Sequence, residues 1–252
     1  MESSHHHCYI INHMDEFLFE WSLCEYLQID SYLSPLSRVS LYLSNFNTIA
    51  KYTSNSQKNL KENTENLAIL QKSSNLLKTL PLDISAYLSP DKKTFSIPIS
   101  QEPIDFSQIC LLDMRAEKTL TPEDSSRFSL FIFGGILGDH PPRDRTSALR
   151  KQGFELRNLG TLQMSTDTAV LVTSLIVDRG RKFEEIAWLD EPELKGKIKG
   201  ESVQIEGFRY VDLAYGIEGG VVEEGMKGKE PRMNEKIRKE LIFKELDLND
   251  FM

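Results

Sequence analysis

The chain has 252 residues and a formal net charge of −8 at pH 7, and 40% of its residues are hydrophobic. That length fits one large domain or two small ones, and the apolar content suffices for a sizeable core. No window approaches the roughly 20 apolar residues of a membrane span, and the start of the chain lacks the layout of a signal peptide. The acidic balance disfavours a protein that grips nucleic acid through its phosphates and mildly favours a basic partner.

The three cysteines, Cys8, Cys24 and Cys110, are odd in number and widely spaced. This usage is typical of reduced thiols in an intracellular protein and predicts a cytoplasmic location. No pair has the spacing of metal ligands, so we expect no metal site. Residues 1–7 are interpreted as a mobile tail or as added residues, and their histidines receive no role.

The first third of the chain predicts a strand over 9–11, a helix over 16–28 and a second strand over 39–43. On the helix, Glu16, Glu20 and Glu25 are interpreted as a solvated face. Residues 45–75 are rich in Ser, Asn, Lys and Gln and read as an insertion, part helical and part mobile. Within it, burial is expected of four apolar residues only: Leu60, Leu67, Ile69 and Leu70. The three prolines of 89–103 indicate an exposed connection.

The second half of the chain alternates apolar strands with helices. Strands are predicted over 109–112, 130–133, 154–156 and 183–189, and a short helix begins at 121–124. A strongly amphipathic helix follows Ser165 or Thr166, either of which is a suitable cap, and ends at Gly180. Hairpin signals follow residue 191, and a charged helix spans 234–246. Continuous apolar strands alternating with helices predict an α/β fold with a mostly parallel sheet.

Residues 131–146 are the most informative stretch of the sequence. An apolar strand runs into Gly134, Gly135 and Gly138, which let the backbone turn sharply and approach a ligand. An acid–base cluster follows, and the carboxyl end of a strand is where open α/β sheets bind ligands. The cluster comprises Asp139, His140, Arg143, Asp144 and Arg145. The alternatives are a tight turn without a ligand and an ion-pair network on a loop.

A second glycine loop over 159–168 opens the amphipathic helix, and two such loops at strand ends together enclose a small molecule. The first loop, Gly134 to Gly138, has the spacing of neither a dinucleotide loop nor a phosphate loop. Asp113 and Arg115 lie at the end of another apolar strand. Two interpretations of them have equal weight: contact with a ligand, and a salt bridge at the strand end. Trp21 and Trp188 are interpreted as core residues rather than stacking platforms.

Four motifs occur in a characteristic order: Tyr9-Ile-Ile-x-His-Met-x-Glu16 with Glu20-Trp21 and Glu25-Tyr26, Leu111-Leu-Asp-x-Arg-Ala116, the stretch 133–146, and Leu159-Gly-x-x-Gln-Met-x-Thr-Asp-Thr-Ala169. The set closely resembles the SPOUT-class protein-arginine methyltransferases of eukaryotes. The resemblance covers 8–30 and 105–190 and extends to Phe208-Arg-Tyr210 and residues 224–226. Residues 45–75 are extra relative to that family.

The resemblance implies a domain over 8–190 with a deep trefoil knot, an insertion around 45–75, and a C-terminal extension over 191–252 with a hairpin and a charged helix. It also implies S-adenosyl-L-methionine bound in a bent form within the knot. The cofactor-binding residues it implies are Gly134, Gly135, Ile136, Leu137, Gly138, Leu159, Gly160, Leu162, Gln163, Met164, Thr166 and Thr168.

The implied reaction is methylation of an arginine side chain, and the family's known target is a basic protein of the small ribosomal subunit. A guanidinium has a pKa above about 12, so it is protonated at neutral pH and is a poor nucleophile. A carboxylate is suited to hold it by two hydrogen bonds and to draw its charge away from the attacking nitrogen. Asp139 is the first candidate for that carboxylate and Glu20 the second, with His140 or His13 as proton acceptor. Expected substrate-binding residues are His13, Glu16, Asp113, Arg143, Asp144 and Arg145.

Two other functions remain open at this point. Most knotted enzymes modify RNA, so a SPOUT-type RNA methyltransferase is one alternative, although the acidic charge disfavours it. The other is a module that binds the cofactor or a ribosomal protein without catalysis. The oligomeric state is also open, because the extension and the insertion are both suited to blocking the dimer interface of knotted methyltransferases.

Overall fold

The computed structural model describes residues 5–97, 102–135, 144, 146–196, 202–217 and 230–249. The strands, in chain order, are β1 (His7–His13), β2 (Val39–Ser44), β3 (Leu77–Thr79), β4 (Thr94–Phe95), β5 (Ile104–Asp105), β6 (Ile109–Leu112), β7 (Leu130–Gly135), β8 (Glu155–Arg157), β9 (Trp188–Asp190), β10 (Glu193–Lys195), β11 (Ser202–Gln204) and β12 (Arg209–Val211). The helices are α1 (Glu20–Leu33), α2 (Phe46–Ala50), α3 (Gln57–Ser73), α4 (Asp124–Arg127), α5 (Ser147–Arg150), α6 (Thr166–Val177) and α7 (Glu235–Asn249).

Six strands form one sheet in the order β3-β2-β1-β7-β6-β8, and every neighbouring pair is parallel. From β1 the chain moves outward through β2 to β3, whereas from β7 it crosses to β8 on the other side. The connections that leave β1 and β7 therefore diverge, which opens a crevice at their carboxyl ends. The predicted α/β fold with a mostly parallel sheet is confirmed, and the knot stays a prediction.

The sheet is covered on both faces, which explains its continuous apolar strands. Side chains alternate between faces along each strand. On β1, Tyr9 and Ile11 join the cluster that includes α1 and α6, whereas Cys8 and Ile10 join the cluster on the other face. All three cysteines are buried and unpaired. Among the helices of the described ranges, none has the length and hydropathy to cross a membrane.

Helix α1 begins at Glu20, four residues later than the sequence predicts, because the segment before it is held in place by α3. The Leu18 amide donates to Asn63 Oδ1 at 2.8 Å, and Asn66 Nδ2 donates to the Leu18 carbonyl at 2.9 Å. Both asparagines are buried. The predicted insertion is helical over α2 and α3, as expected in part. Of the four apolar residues expected to be buried, Leu70 is buried, Leu60 and Leu67 are half-buried, and Ile69 is 45% exposed.

Strand β3 is absent from the sequence prediction, and a buried carboxylate accounts for it. Asp30 on α1 is 3% exposed and accepts hydrogen bonds from the backbone amides of Asn75, Leu76 and Leu77 at 3.0, 2.8 and 2.7 Å. These bonds direct the chain from the end of α3 into β3. Residues 75–77 are thereby ordered by a side chain that lies 45 to 47 positions earlier in the chain.

Beyond α6 the predicted strand over 183–189 is wrong in its first half. Phe183–Glu185 forms a 3₁₀ turn, and only β9 is extended, pairing antiparallel with β12. The hairpin expected after residue 191 is present as β10 and β11. The predicted connection over 89–103 contains β4, which pairs with β5 directly after it, and its interpretation as exposed is wrong for Phe95 and Ile97, which are buried. The charged helix predicted over 234–246 is α7.

Strand β1 begins at His7, although residues 1–7 are interpreted from the sequence as a tail. His7 is fully buried and contacts the carboxylate of Asp178. Its Nδ1 lies 2.6 Å from Asp178 Oδ1, and the Tyr9 hydroxyl donates to Asp178 Oδ2 at 2.5 Å. Burial opposes the charged form of His7, but the hydrogen bonds to Asp178 and to the Ser125 carbonyl, together with the charge of Asp178, outweigh it and raise the pKa of His7 above its usual value. The contact joins the start of β1 to the end of α6.

Replacing Asp178 by Asn is expected to lower the free energy of unfolding by about 1–3 kcal/mol, because a buried ionised partner of His7 is lost. A raised histidine pKa stabilises the fold fully below its unfolded value of 6.5, and this contribution is lost as pH rises through the folded value. The loss in Asp178→Asn is therefore larger at pH 6 than at pH 9 in chemical unfolding, with exposed Glu184→Gln as control. Equal losses at both pH values would contradict the assignment.

Candidate functional site

The carboxyl ends of β1 and β7 lie side by side at the centre of the sheet. Asn12 is in register with Gly134 and His13 with Gly135, and the Met14 amide extends the ladder by donating to the Gly135 carbonyl at 3.1 Å. Asn45 Nδ2 donates to the His13 carbonyl at 3.1 Å and fixes the end of β1. The sheet thus places Gly134 and Gly135 at the crevice that its topology creates.

Gly135 makes room for a side chain of α1. A Cβ atom at this position would lie 2.6 Å from the Tyr26 hydroxyl and 2.7 Å from a methyl of Ile11, distances that real Cβ atoms do not show. The hydroxyl is held there by His13 Nδ1 at 2.7 Å. The glycine predicted to approach a cofactor therefore also permits close packing within the protein.

His13 is fully buried, and both of its ring nitrogens are engaged. Nε2 faces the Phe17 carbonyl at 3.3 Å, so it carries the proton, and Nδ1 accepts from the Tyr26 hydroxyl. Burial lowers the pKa of His13, which favours the neutral ring. Its predicted role in substrate binding or proton transfer requires one of these two bonds to be exchanged.

The second glycine loop, residues 159–164, lies between β8 and the start of α6. Gly160 has a φ of +93°, a conformation that favours glycine, and its amide donates to Asn158 Oδ1 at 3.0 Å. The predicted cofactor-binding residues here include buried Leu159 and half-buried Leu162, Gln163 and Met164. Thr166 and Thr168 are buried in the first turn of α6, which begins after Ser165.

Seven predicted site residues lie outside the described residues: Ile136, Leu137, Gly138, Asp139, His140, Arg143 and Arg145. They include the first candidate for the catalytic carboxylate. Their assignments stay predictions.

Asp113 and Asp144 belong to one ion-pair network between the end of β6 and the start of α5. The Asp113 side chain is 2% exposed, pairs with Arg150, and accepts from the Thr146 hydroxyl at 2.9 Å. Asp144 lies 2.5 Å from Arg150 and 3.0 Å from Arg115. The salt-bridge interpretation of Asp113 is present in the structure, although its partner is Arg150, with Arg115 on Asp144 instead.

The acidic face predicted for α1 is divided. Glu16 precedes the helix and is exposed, and the carboxylate of Glu20 pairs with Lys236 of α7. Glu25, by contrast, is 5% exposed and points into the contact between α1 and α6, so its interpretation as a solvated residue is wrong. The sequence signal for its burial is its position one turn after Trp21, whose Nε1 donates to Glu25 Oε1 at 2.8 Å.

Glu25 faces a second buried carboxyl, that of Asp167 on α6. Burial and the charge of Asp167 raise the pKa of Glu25 to about 8, against hydrogen bonds from Trp21 and Thr166. Burial also raises the pKa of Asp167, which Ser165 and the Thr168 amide oppose. Within the described part of the chain neither carboxyl has an ion-pair partner among the salt bridges. Perturbed, unpaired carboxyls beside a crevice are typical of functional sites.

The fold is that of an α/β protein with a six-stranded parallel sheet, and Gly134 and Gly135 lie at the carboxyl end of its central strand β7. Among the described residues no group of three or more His, Cys, Asp or Glu side chains is arranged to hold a metal ion. A profile of the SFM1-like protein arginine N-methyltransferases matches residues 8–241. The chain therefore belongs to the SFM1-like protein arginine N-methyltransferase family, which confirms the expected family and enzyme class.

Individual relatives agree with this assignment. The protein arginine N-methyltransferase SFM1 of Saccharomyces cerevisiae is 38% identical over 207 residues, which are 81% of this chain and 85% of the yeast protein. The crystal structure of yeast SFM1 complexed with SAM has a TM-score of 0.68 at 32% identity and covers 95% of this chain and 91% of that chain. The complex with SAH has a TM-score of 0.64 at 33% identity and covers 92% and 93%. These complexes confirm S-adenosyl-L-methionine as the cofactor expected for the family.

Replacing Gly135 by Ala is expected to lower the free energy of unfolding by about 1–3 kcal/mol, because the new Cβ must displace Tyr26 and Ile11 from a packed interior. The measurement is denaturant unfolding with and without S-adenosylmethionine. An unchanged unfolding midpoint together with weaker cofactor binding would mean that the glycine serves the ligand alone.

Replacing Glu25 by Gln is expected to flatten the pH dependence of stability. The folded protein holds the Glu25 proton more tightly than the unfolded chain, so the free energy of unfolding falls as pH rises from about 4.5 toward 8. The amide cannot titrate, so the melting temperature of Glu25→Gln falls less across that window than the wild-type value. Exposed Glu184→Gln, the control, keeps the wild-type slope. A wild-type slope in both variants would contradict the shifted pKa.

Proposed function

We propose that this protein transfers a methyl group from S-adenosylmethionine to the guanidinium of an arginine in a basic protein segment. The family match over residues 8–241 carries this proposal. The structure supports it with a parallel sheet in which Gly134 and Gly135 end a central strand and the second glycine loop follows the edge strand β8.

The residues present fit such a cofactor. Gly134 and Gly135 end β7 at the switch point of the sheet, and Gly160 adopts a backbone conformation that turns the second loop sharply before the amino end of α6. The proposed binding residues are the twelve that the sequence predicts in 134–138 and 159–168. When bound, the sulfonium of the cofactor supplies an activated methyl group, so the protein has mainly to align the acceptor nitrogen and stabilise charge.

The acceptor chemistry requires a carboxylate. Two parallel hydrogen bonds from a carboxylate fix the guanidinium plane and draw positive charge away from the attacking nitrogen. We assign this role first to Asp139, which follows the first glycine loop, with His140 as a proton acceptor. Glu20 is the second candidate, and its present contact with Lys236 must open for it to bind an arginine.

The buried pair of Glu25 and Asp167 adds a further candidate for the fate of the proton. A carboxyl with a raised pKa accepts a proton near neutral pH, which an ordinary carboxylate does only in acid. Asp167 lies directly after the second glycine loop, so the pair stands beside the proposed cofactor site. Glu25 thereby joins Asp139 among the carboxyls to be substituted.

We propose a basic protein of the small ribosomal subunit as the substrate and the cytoplasm as the location. The net charge of −8 suits a cationic partner better than a phosphate backbone. The three unpaired cysteines suit a reducing compartment.

The test is transfer of labelled methyl from S-adenosylmethionine to separated small-subunit proteins and to ribosomal RNA. Wild-type protein is expected to label one basic protein on arginine, and Asp139→Asn to reduce turnover by about 100-fold or more while it still binds the cofactor. Asp105→Asn, a conservative change in the remote strand β5, serves as control and keeps full activity.

Each other outcome has a defined meaning. Label in RNA would replace the proposed substrate by a nucleic acid. Cofactor binding without any transfer to the ribosomal proteins would contradict the substrate assignment. Full activity of Asp139→Asn would move the carboxylate role to Glu20 or Glu25.

A further inference from the structure

The second glycine loop is joined by its backbone to the segment that leads into β12. The Gln163 amide donates to the Gly207 carbonyl at 3.2 Å, and the Arg209 amide donates to the Gln163 carbonyl at 2.8 Å. Gln163 forms a parallel bridge with Phe208 through these bonds. One end of the loop therefore takes its position from residues some forty-five positions later in the chain, in the segment 207–209.

The other end of the loop, at Gly160, lies close to the side chain of Arg209. A Cβ atom at Gly160 would lie 3.2 Å from Arg209 Nη1 and 2.8 Å from the ring of Phe183. The guanidinium carbon lies 5.1 Å from the ring centre of Trp188 and 5.8 Å from that of Phe183. Trp188 packs against the core, as its interpretation as a core residue expects, and its ring also faces the Arg209 guanidinium.

The carboxylate of Asp190 fixes the orientation of the Arg209 guanidinium. Arg209 Nε and Nη2 donate to the two oxygens of Asp190 at 2.5 and 2.7 Å, and the Arg209 side chain is 16% exposed. Hydrogen bonds to Arg209 also lower the pKa of Asp190. A bidentate, stacked guanidinium has one geometry, which lysine cannot reproduce with a single ammonium.

We propose that Arg209 is a positioning residue that holds residues 159–164 in the conformation that binds S-adenosylmethionine. This inference rests on the proposed function of the loop. Arg209 fixes both ends of the loop, through its backbone at Gln163 and through its guanidinium at Gly160. A loop that is ordered before binding gains affinity because less conformational entropy is lost in the complex.

The test compares cofactor binding and steady-state kinetics of the full chain carrying Arg209→Lys or Arg209→Gln. Both variants are expected to raise the Kd and the KM for S-adenosylmethionine by about tenfold, with kcat at saturating cofactor and the KM for the protein substrate within about twofold of wild type. Asp190→Asn, which frees the guanidinium, shows a smaller rise in the same Kd.

Arg127→Gln is the matched control. Arg127 also pairs with a carboxylate, that of Glu155, and lies 5.4 Å from the ring centre of Phe128, but at the amino end of the sheet. Its substitution is expected to leave cofactor affinity unchanged. Melting temperatures of all variants identify any general loss of stability.

The outcomes separate this inference from the function on which it rests. Wild-type protein that neither binds S-adenosylmethionine nor transfers methyl would refute the proposed function. An active wild type with unchanged Kd in both Arg209 variants would refute the positioning role alone. Equal rises in Kd for Arg209→Gln and Arg127→Gln would also refute it, because they would reflect lost stability.

Discussion

The pairing of β1 with β7 is the contact on which the rest of the structure depends. It joins segments from opposite halves of the chain in parallel register over six residue pairs, from Cys8 with Leu130 to His13 with Gly135. Parallel neighbours need long crossovers, so the intervening strands are laid out on either side of this pair. The same pairing brings the end of β1 against the first glycine loop. Fold and candidate site are therefore two results of one strand contact.

Buried charges show which parts of the molecule serve stability and which serve the site. Asp30 receives three backbone amides, and Asp124 forms a bidentate pair with Arg157 at 2.9 Å. These carboxylates are compensated where they are buried, as stability requires. Glu25 and Asp167 lack a described cation, and the pKa of each is raised, so ionising both in the folded protein costs free energy near neutral pH. That cost occurs beside the predicted cofactor loop, which is the pattern expected when environment tunes an acid for chemistry.

Local pattern predicted the central strands well, because continuous apolar runs such as 109–112 and 130–133 have one physical use in a sheet covered on both faces. It failed where a distant polar side chain decides the local structure. No pattern within residues 73–79 predicts β3, because Asp30 orders the residues that lead into it. Likewise Asn63 and Asn66 are polar in sequence but buried, because they satisfy the backbone of Leu18. Periodicity contains no information about such partners.

The sequence predicts which strand ends carry glycines, but not which polar side chains are buried beside them. Glycines at strand ends identify the crevice, because that property is local, whereas the burial of Glu25 depends on the packing of α1 against α6. The C-terminal segment offers the clearest case. Residues after 190 were assigned to an extension, yet the backbone of Gln163 finds its partners at Gly207 and Arg209. The backbone hydrogen bonds of the loop before α6 are thus incomplete without the segment 207–209, which local pattern within the loop does not indicate.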